Sequence, residues 1–218
     1  MMTILPLLAW AELPIFFPSA YYIDEDGTEV KIEESITHEA PLTVFFQANP
    51  EHAEGRNITY EWHFRKTNEE TDYLIRYDQD IEYTFMDAGT TIAYFRAYEN
   101  SVLIGEGEFS ITITTSKLTM PNAFTPNGDS RNDTYRPLTH ESLTEFHAYI
   151  YNRWGQLLYD WTDPDAEGWD GTYKGKPVKE GVYFVLVKAK GSDGVNYSIK
   201  KDVNLLRGYT EYDSDPTY

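Results

Sequence analysis

Apolar and polar residues alternate in short runs along most of the chain, which is the pattern of half-buried β-strands. In the N-terminal half this alternation predicts seven strands, at residues 28–32, 41–48, 58–64, 72–77, 81–85, 90–98 and 106–115. Turn-forming residues separate the runs, and no run has the 3.6-residue period of a helix. The pattern therefore predicts an antiparallel β-sandwich.

The strand predicted at residues 58–64 indicates where the core of this sandwich lies. A period of two places Tyr60, Trp62 and Phe64 on one face, and polar side chains on the other. We expect the aromatic face to be buried, with Trp62 as a packing residue and not as a platform for a ligand.

The C-terminal half repeats the pattern, with predicted strands at residues 118–124, 145–151, 156–161, 181–190 and 197–206. Residues 152–155 join two of them with Asn and Gly, which tolerate the positive φ of a tight hairpin. The polar residues 115–117 separate the two halves. The fold class is thus all-β, with two consecutive antiparallel β-sandwich domains at residues 23–116 and 117–207, a leader at 1–22 and an acidic tail at 208–218.

The first residues have features of an export signal. Residues 2–11 read MTILPLLAWA, a short apolar run that ends in a small-x-small sequence typical of a signal-peptidase site. We expect residues 1–22 to form a signal-like or extended leader. The alternative is an apolar segment that packs on the first domain or belongs to a longer parent chain. About ten apolar residues are too few to span a bilayer.

Composition excludes several functional classes. Eighteen Tyr, eleven Phe and five Trp supply enough apolar surface for folded cores. The net charge of −18 opposes contact with phosphate backbones, so nucleic acid is not expected as a partner. The chain has no cysteine, which rules out disulfides, thiolate catalysis and cysteine-ligated zinc.

Residues 120–133, with the sequence MPNAFTPNGDSRND, form the stretch richest in candidate chemistry. The side chains of Asn127, Asp129, Asn132 and Asp133 place several hard oxygens close together, and Gly128 permits a sharp turn. One hypothesis is a calcium site. The alternative is that these side chains cap turns by accepting hydrogen bonds from nearby backbone amides.

Motifs for catalysis are missing from the sequence. It contains no nucleophile elbow, phosphate-binding loop or zinc-protease helix motif, and its five histidines lack metal-ligand spacing. We therefore predict a protein that is not an enzyme and requires no cofactor.

Five separated motifs together resemble the gliding motility-associated C-terminal domain of Bacteroidetes, a type B sorting domain of the type IX secretion system. They are the loop at residues 120–133 and the segments 151–155, 169–172, 181–184 and 203–207. The matching residues are Pro121, Asn122, Phe124, Pro126, Asn127, Gly128, Asp129, Asn132, Asp133, Asn152, Arg153, Trp154, Gly155, Trp169, Asp170, Gly171, Gly181, Tyr183, Leu206 and Arg207.

The resemblance implies export to the cell surface or the extracellular space, with components of the type IX outer-membrane translocon as partners. It also implies that Trp169, Asp170 and Gly171 are structural landmarks and not catalytic residues. The family pattern ends close to Leu206 and Arg207, whereas this chain continues into its acidic tail.

The N-terminal half resembles immunoglobulin-like domains of the polycystic-kidney-disease (PKD) type, on the basis of residues 81–98 together with Trp62 and Phe64. One interpretation is that this domain is a small cargo or a spacer. The alternative is an adhesin module that binds a surface glycan or a protein. Aromatic rings stack on sugars, and this half carries Tyr73, Tyr77, Tyr83, Tyr94 and Tyr98.

Overall fold

The structure is a computed structural model that describes residues 12–208. Most of the predicted leader and nearly all of the acidic tail, at residues 1–11 and 209–218, lie outside the described residues. The described chain divides into two compact units. The N-terminal unit contains residues 12–38, Leu42–Phe85 and Gly89–Thr112, and the C-terminal unit contains Glu39–Pro41, Met86–Ala88 and residues 113–208. No helix in these residues is long and apolar enough to span a membrane.

The N-terminal unit contains eleven strands arranged mainly in two sheets. The strands are β1 (Ile15–Phe16), β2 (Ser19–Ile23), β3 (Glu29–Ile32), β4 (Ser35–His38), β5 (Leu42–Gln47), β6 (Pro50–Glu51), β7 (Ile58–Lys66), β8 (Leu74–Arg76), β9 (Ile81–Phe85), β10 (Gly89–Glu99) and β11 (Val102–Ile113). One sheet has the order β3-β2-β5-β9, the other β4-β11-β10-β7-β8, and β1 pairs with β6. The prediction of an all-β sandwich is confirmed.

Strand β2 corrects the sequence interpretation, because it lies in the segment predicted to be an extended leader. It pairs antiparallel with β3 and β5 in the interior of its sheet. Ala20 is fully buried, and the ring of Tyr21 stacks on Phe45 with centroids 5.1 Å apart. The prolines at 14 and 18 obscured a short strand, although its partner β3 follows directly after the turn at residues 24–28.

The core of the N-terminal unit is aromatic, as predicted. Trp62 and Phe64 are fully buried and contact Phe46 at centroid distances of 5.3 and 5.6 Å. The opposite face of β7 is less open than alternation suggests. His63 is 9% exposed, and its two ring nitrogens lie 2.9 Å from Glu61 Oε2 and 2.8 Å from Asp72 Oδ2.

The C-terminal unit is built on one five-stranded sheet. Its strands are β12 (Lys117–Thr119), β13 (Ala123–Phe124), β14 (Thr139–Glu141), β15 (Leu143–Tyr151), β16 (Leu157–Trp161), β17 (Thr172–Tyr173), β18 (Lys176–Pro177), β19 (Gly181–Gly191) and β20 (Asn196–Leu205). The sheet has the order β13-β20-β19-β15-β16, and β12 with β14 and β17 with β18 form two short ladders.

Long connections cross the buried face of this sheet and supply its second layer. An antiparallel bridge joins Tyr135 to Trp169, and both side chains enter the core with Phe146, Ile150 and Val187. The strand predicted at residues 118–124 is wrong as one piece. It is interrupted near Pro121, which has no amide hydrogen to donate, and its second part, β13, pairs parallel with β20.

Candidate functional site

The loop at residues 125–133 is organised around the carboxylate of Asp133. Its Oδ1 accepts hydrogen bonds from the backbone N–H groups of Asn127 at 3.0 Å and Gly128 at 2.8 Å, and its Oδ2 accepts from Ser130 at 2.8 Å. Gly128, Ser130 and Asn132 have φ of 83°, 67° and 51°. Positive φ at three residues turns successive amides inward, towards the carboxylate.

Asp129 has a similar role within the same loop. Its Oδ2 accepts a hydrogen bond from Asn127 Nδ2 at 2.9 Å, and its Oδ1 accepts from the backbone N–H of Arg131 at 2.9 Å. The Asn127 side chain, followed by the Arg131 amide, lowers the pKa of Asp129, because both donors favour the ionised carboxylate. The carboxylates of this loop therefore act as acceptors for the loop's own amides.

The structure places the four residues of the calcium hypothesis, Asn127, Asp129, Asn132 and Asp133, in this one loop. Within residues 12–208, no three acidic, histidine or cysteine side chains are grouped so that they could hold a metal ion. A cation here would compete with N–H groups that point at the same oxygens. Calcium binding stays a prediction of the sequence, and the observed contacts support the turn-capping alternative.

Calorimetry distinguishes these two interpretations. Titrating calcium to about 10 mM, well above the dissociation constants of extracellular calcium modules, is expected to give no binding heat because the carboxylates already accept amide hydrogens. The Asp133→Asn variant is the matched control. Saturable heat in the natural chain that disappears in this variant would contradict capping alone and establish the calcium site.

The motif at residues 169–171 is a buried landmark. Trp169 is fully buried, with ring centroids 5.3 Å from Phe124 and 5.0 Å from Tyr183, and its Nε1 donates to the carbonyl of Thr172 at 2.7 Å. Asp170 Oδ1 accepts the Thr172 amide at 2.9 Å, so this carboxylate caps a turn.

Arg207 and its neighbour join the ends of three motifs. Arg207 Nη2 donates to the carbonyl of Gly171 at 2.7 Å, and its Nη1 donates to that of Pro126 at 3.4 Å. The backbone amide of Leu206 donates to the carbonyl of Phe124 at 3.1 Å, a contact that does not involve the Leu206 side chain. These bonds hold the first loop, the turn after Trp169 and the end of β20 together.

We call Phe124, Trp169, Gly171, Tyr183 and Arg207 the motif cluster. Its members come from four of the five motifs, which lie far apart in the sequence. The hydroxyl of Tyr183 also donates to the carbonyl of Lys179 at 2.6 Å, which fixes the start of β19. Gly181, at the first position of β19, is exposed and has φ of 141°.

The remaining motif forms a hairpin outside the motif cluster. Asn152 Oδ1 accepts the amides of Trp154 and Gln156, each at 3.0 Å, and Gly155 has φ of 78°, so the predicted hairpin is present. In contrast to Trp169, the side chain of Trp154 is 77% exposed, with the guanidinium carbon of Arg153 4.5 Å from its ring centroid.

Pro121 acts through its backbone carbonyl, whereas Asn122 acts through its backbone carbonyl and through its side-chain Oδ1, which accepts a hydrogen bond from Lys201 Nζ. The Pro121 carbonyl accepts the hydroxyl of Tyr135 at 3.2 Å, and the Asn122 carbonyl accepts the Asn204 amide at 3.0 Å. Burial raises the pKa of Tyr135 above its usual range. Sequence reasoning missed Tyr135, although an aromatic residue that follows the loop directly was a usable signal.

Glu180 was also missed in the sequence, and it secures the end of the described chain. Its carboxylate accepts the backbone amide of Arg207 and, at 2.8 Å, that of Gly208. These amides, Gly208 first and Arg207 second, lower the pKa of Glu180 from its ordinary value of 4.5. Nothing in the local sequence pairs residue 180 with residue 207.

The Glu180→Gln substitution is expected to lower stability at neutral pH, because an amide oxygen accepts these bonds less strongly than a carboxylate. A folded-state pKa below 4.5 means that this contribution is present above pH 4.5 and is lost as the pH falls through the folded-state value. Urea unfolding at several pH values should therefore show a gap between variant and natural chain that closes in acid. A gap that stays constant from neutral pH to about pH 3 would contradict the assignment. The exposed Glu167→Gln substitution is the control.

Comparison with known proteins agrees with this arrangement. Residues 118–202 match the model of the CHU_C type IX secretion signal domain. The match includes the first loop, the hairpin, the turn after Trp169 and the start of β19, and it ends before residues 203–207. No curated protein matches the chain.

Several solved structures are similar to the chain at low identity. The chicken CNTN1 FN1–FN3 domains are 9% identical, with 83% of this chain and 69% of that chain covered and a TM-score of 0.36. Dimeric latent PorU from Porphyromonas gingivalis is 14% identical, with coverage of 91% and 20% and a TM-score of 0.28. The Bacteroides ovatus protein SGBP-B, in complex with a mixed-linkage heptasaccharide, is 13% identical, with coverage of 89% and 47% and a TM-score of 0.31.

The family match includes four of the five residues of the motif cluster, all except Arg207, and the resemblance found in the C-terminal half of the sequence is confirmed. A CHU_C type IX secretion signal domain is found at residues 118–202 of this chain, where it follows an all-β sandwich domain.

Proposed function

We propose that this chain is a non-enzymatic protein of the cell surface or extracellular space, and that its C-terminal domain is the address read by the type IX outer-membrane translocon. The immunoglobulin-like domain is then the cargo or a spacer. The observation that carries the proposal is the motif cluster, four of whose five residues lie within the matched residues 118–202. Motifs far apart in sequence form one folded unit, so the signal is a shape and not a linear peptide.

The arrangement of titratable side chains supports a non-enzymatic role. One group that resembles a catalytic relay has His147 Nε2 3.0 Å from Asp160 Oδ2 and His147 Nδ1 2.8 Å from the Tyr149 hydroxyl. These side chains lie on the face of β15 opposite the buried Phe146 and Ala148. Such a face lacks the enclosed cleft that positions a substrate and excludes water.

Fusing residues 117–218 to a fluorescent protein with an inner-membrane export signal tests the proposed address. In a gliding bacterium of the Bacteroidetes, the fusion is expected on the cell surface or in the medium. A fluorescent protein with the export signal alone should remain in the periplasm. Periplasmic retention of the fusion, in cells that still secrete their own cargo, would overturn the proposal.

A variant of the same fusion tests whether the translocon reads a folded shape. Trp169→Ala removes the centre of the motif cluster and leaves every other motif residue in place. We expect this fusion to be retained or degraded while the Gly175→Ala fusion, altered at an exposed turn, is secreted. Equal secretion of both would show that a linear sequence is sufficient.

A second candidate function is glycan or protein binding by the N-terminal unit. Of the tyrosines predicted for this role, Tyr77 is 64% exposed and Tyr73 is 41% exposed, with the Tyr73 ring 6.3 Å from that of Tyr83. By contrast, Tyr94 and Tyr98 are half-buried, and the Tyr94 hydroxyl accepts a hydrogen bond from Arg65 at 3.0 Å. A glycan array tests this function. Binding that is lost in the Tyr73→Ala, Tyr77→Ala double variant would support it. An array without binding above background would exclude glycan binding.

A further inference from the structure

Large apolar side chains are exposed together beside the Trp154 hairpin. Val182 and Phe184 are 50% and 44% exposed on one face of β19, while Tyr183 between them points into the core. With Trp154 they line a groove of about 540 Å³, which we call the Trp154 groove. Contiguous exposed apolar surface of this kind is characteristic of an interaction site.

The groove has a positive edge in a strongly acidic chain. Arg153 and Lys179 line it, and Lys174 Nζ lies 5.2 Å from the ring centroid of Tyr173, another lining residue. Glu180 also lines it, but its carboxylate already accepts two backbone amides. The occupant that fits this surface combines aromatic side chains with carboxylates.

The chain itself contains such a segment, and it begins at the groove. Gly208, the last described residue, donates its amide to Glu180 of the groove wall at 2.8 Å. Residues 209–218 follow with the sequence YTEYDSDPTY, which has three tyrosines, three acidic residues and no Lys or Arg. Ten residues can extend over roughly 30 Å, so the whole groove is within reach.

We propose that residues 209–218 bind in the Trp154 groove of their own chain. Tyrosine rings pack on Trp154, Val182 and Phe184, and the carboxylates lie against Arg153 and Lys179. Attachment beside the groove gives the segment an effective concentration on the order of millimolar, which favours it over a separate molecule of equal affinity. The proposal is independent of the proposed sorting function.

The test is the indole N–H resonance of Trp154 in ¹⁵N spectra of the full chain, assigned with Trp154→Phe. A variant of equal length has Tyr209, Tyr212 and Tyr218 changed to Ser. Relative to the natural chain, its Trp154 resonance is expected to shift, whereas the resonances of the buried Trp161 and Trp169 are expected to stay unchanged. In a chain that ends after Gly208, adding a synthetic 209–218 peptide should return the resonance towards its position in the full chain. An identical Trp154 resonance in the full chain and the Ser variant would overturn the proposal.

The same spectra test the contribution of the groove residues and the alternative that a second copy of the chain occupies the groove. Reversing the edge charges with Arg153→Glu and Lys179→Glu is expected to abolish the peptide-induced shift, whereas Lys188→Glu, an exposed change elsewhere on β19, should leave it unchanged. A shift that persists after the double reversal would contradict the proposed site. A Trp154 resonance that depends on protein concentration in the full chain would assign the groove to a second copy and also overturn the proposal.

Discussion

Replacing Trp169 with alanine is expected to lower the free energy of unfolding of the C-terminal domain by about 3–5 kcal/mol. The indole is fully buried between Phe124 and Tyr183, so its removal leaves a cavity that the sheet cannot fill by a side-chain movement alone. It also leaves the Thr172 carbonyl without the Nε1 donor. Urea denaturation of the full chain, followed by the methyl resonances of Val187 and Val203, measures the change in this domain.

Trp154→Ala is the matched control, because it removes the same side chain from the surface of the same domain. At 77% exposure the indole contributes little packing, and its contact with Arg153 is a surface cation–π interaction. We expect a loss of less than about 1 kcal/mol. If both variants lost the same free energy of unfolding, the burial of Trp169 in the motif cluster would contribute no more stability than a surface tryptophan.

Replacing Gly168 with alanine is expected to lower the free energy of unfolding by about 2–5 kcal/mol. Gly168 has φ of 80°, and a Cβ there would overlap the carbonyl oxygen of Tyr135 and lie 2.9 Å from Cβ of Arg136. The atom it meets first belongs to the backbone that bridges to Trp169, so relief of the contact requires separation of Tyr135 and Trp169.

Gly175→Ala separates the cost of positive φ from the cost of the close contact. Gly175 has φ of 73°, and a Cβ added there would have nothing within 4 Å, so this change introduces no clash. Its cost is backbone strain of about 1–2 kcal/mol. The difference in unfolding free energy between the two variants, measured in the same urea experiment, gives the cost of the close contact at Gly168. If both lose the same stability, the backbone contact at Gly168 is not tight in solution.

Both predictions concern a close approach between segments that are distant in the sequence. Gly168 directly precedes Trp169, and its position beside a family motif was a signal that sequence reasoning did not use. What makes glycine necessary there is the backbone of Tyr135, which belongs to a much earlier part of the domain. The restriction therefore arises from tertiary packing in addition to the positive φ of the local turn.

The β-strands of the C-terminal sheet were largely predictable, because a period of two reports directly which side chains are buried. Phe146, Ala148 and Ile150 are buried on one face of β15, and the hairpin after it closes through Asn152 and Gly155 as expected. In the N-terminal unit, the aromatic face of β7 was identified on the same grounds, with Trp62 and Phe64 fully buried.

Pairing between strands was harder to predict than the strands themselves. Strand β2 is short and preceded by two prolines, so only its hydrogen bonds to β3 and β5 reveal it as part of a sheet. The parallel pairing of β13 with β20 joins residues near 123 to residues near 204. Alternation predicts a face for each strand but carries no information about its partner.

Local spacing and the order of motifs were enough to establish the all-β class, the buried faces of the main strands, the hairpin and the family resemblance. Tertiary packing was needed to establish that Arg207 bonds to Gly171 and Pro126, and that Trp169 is buried while Trp154 is exposed. Hydrogen-bond partners and burial depend on which distant segments meet. Two tryptophans beside similar turns are therefore indistinguishable until those segments are packed.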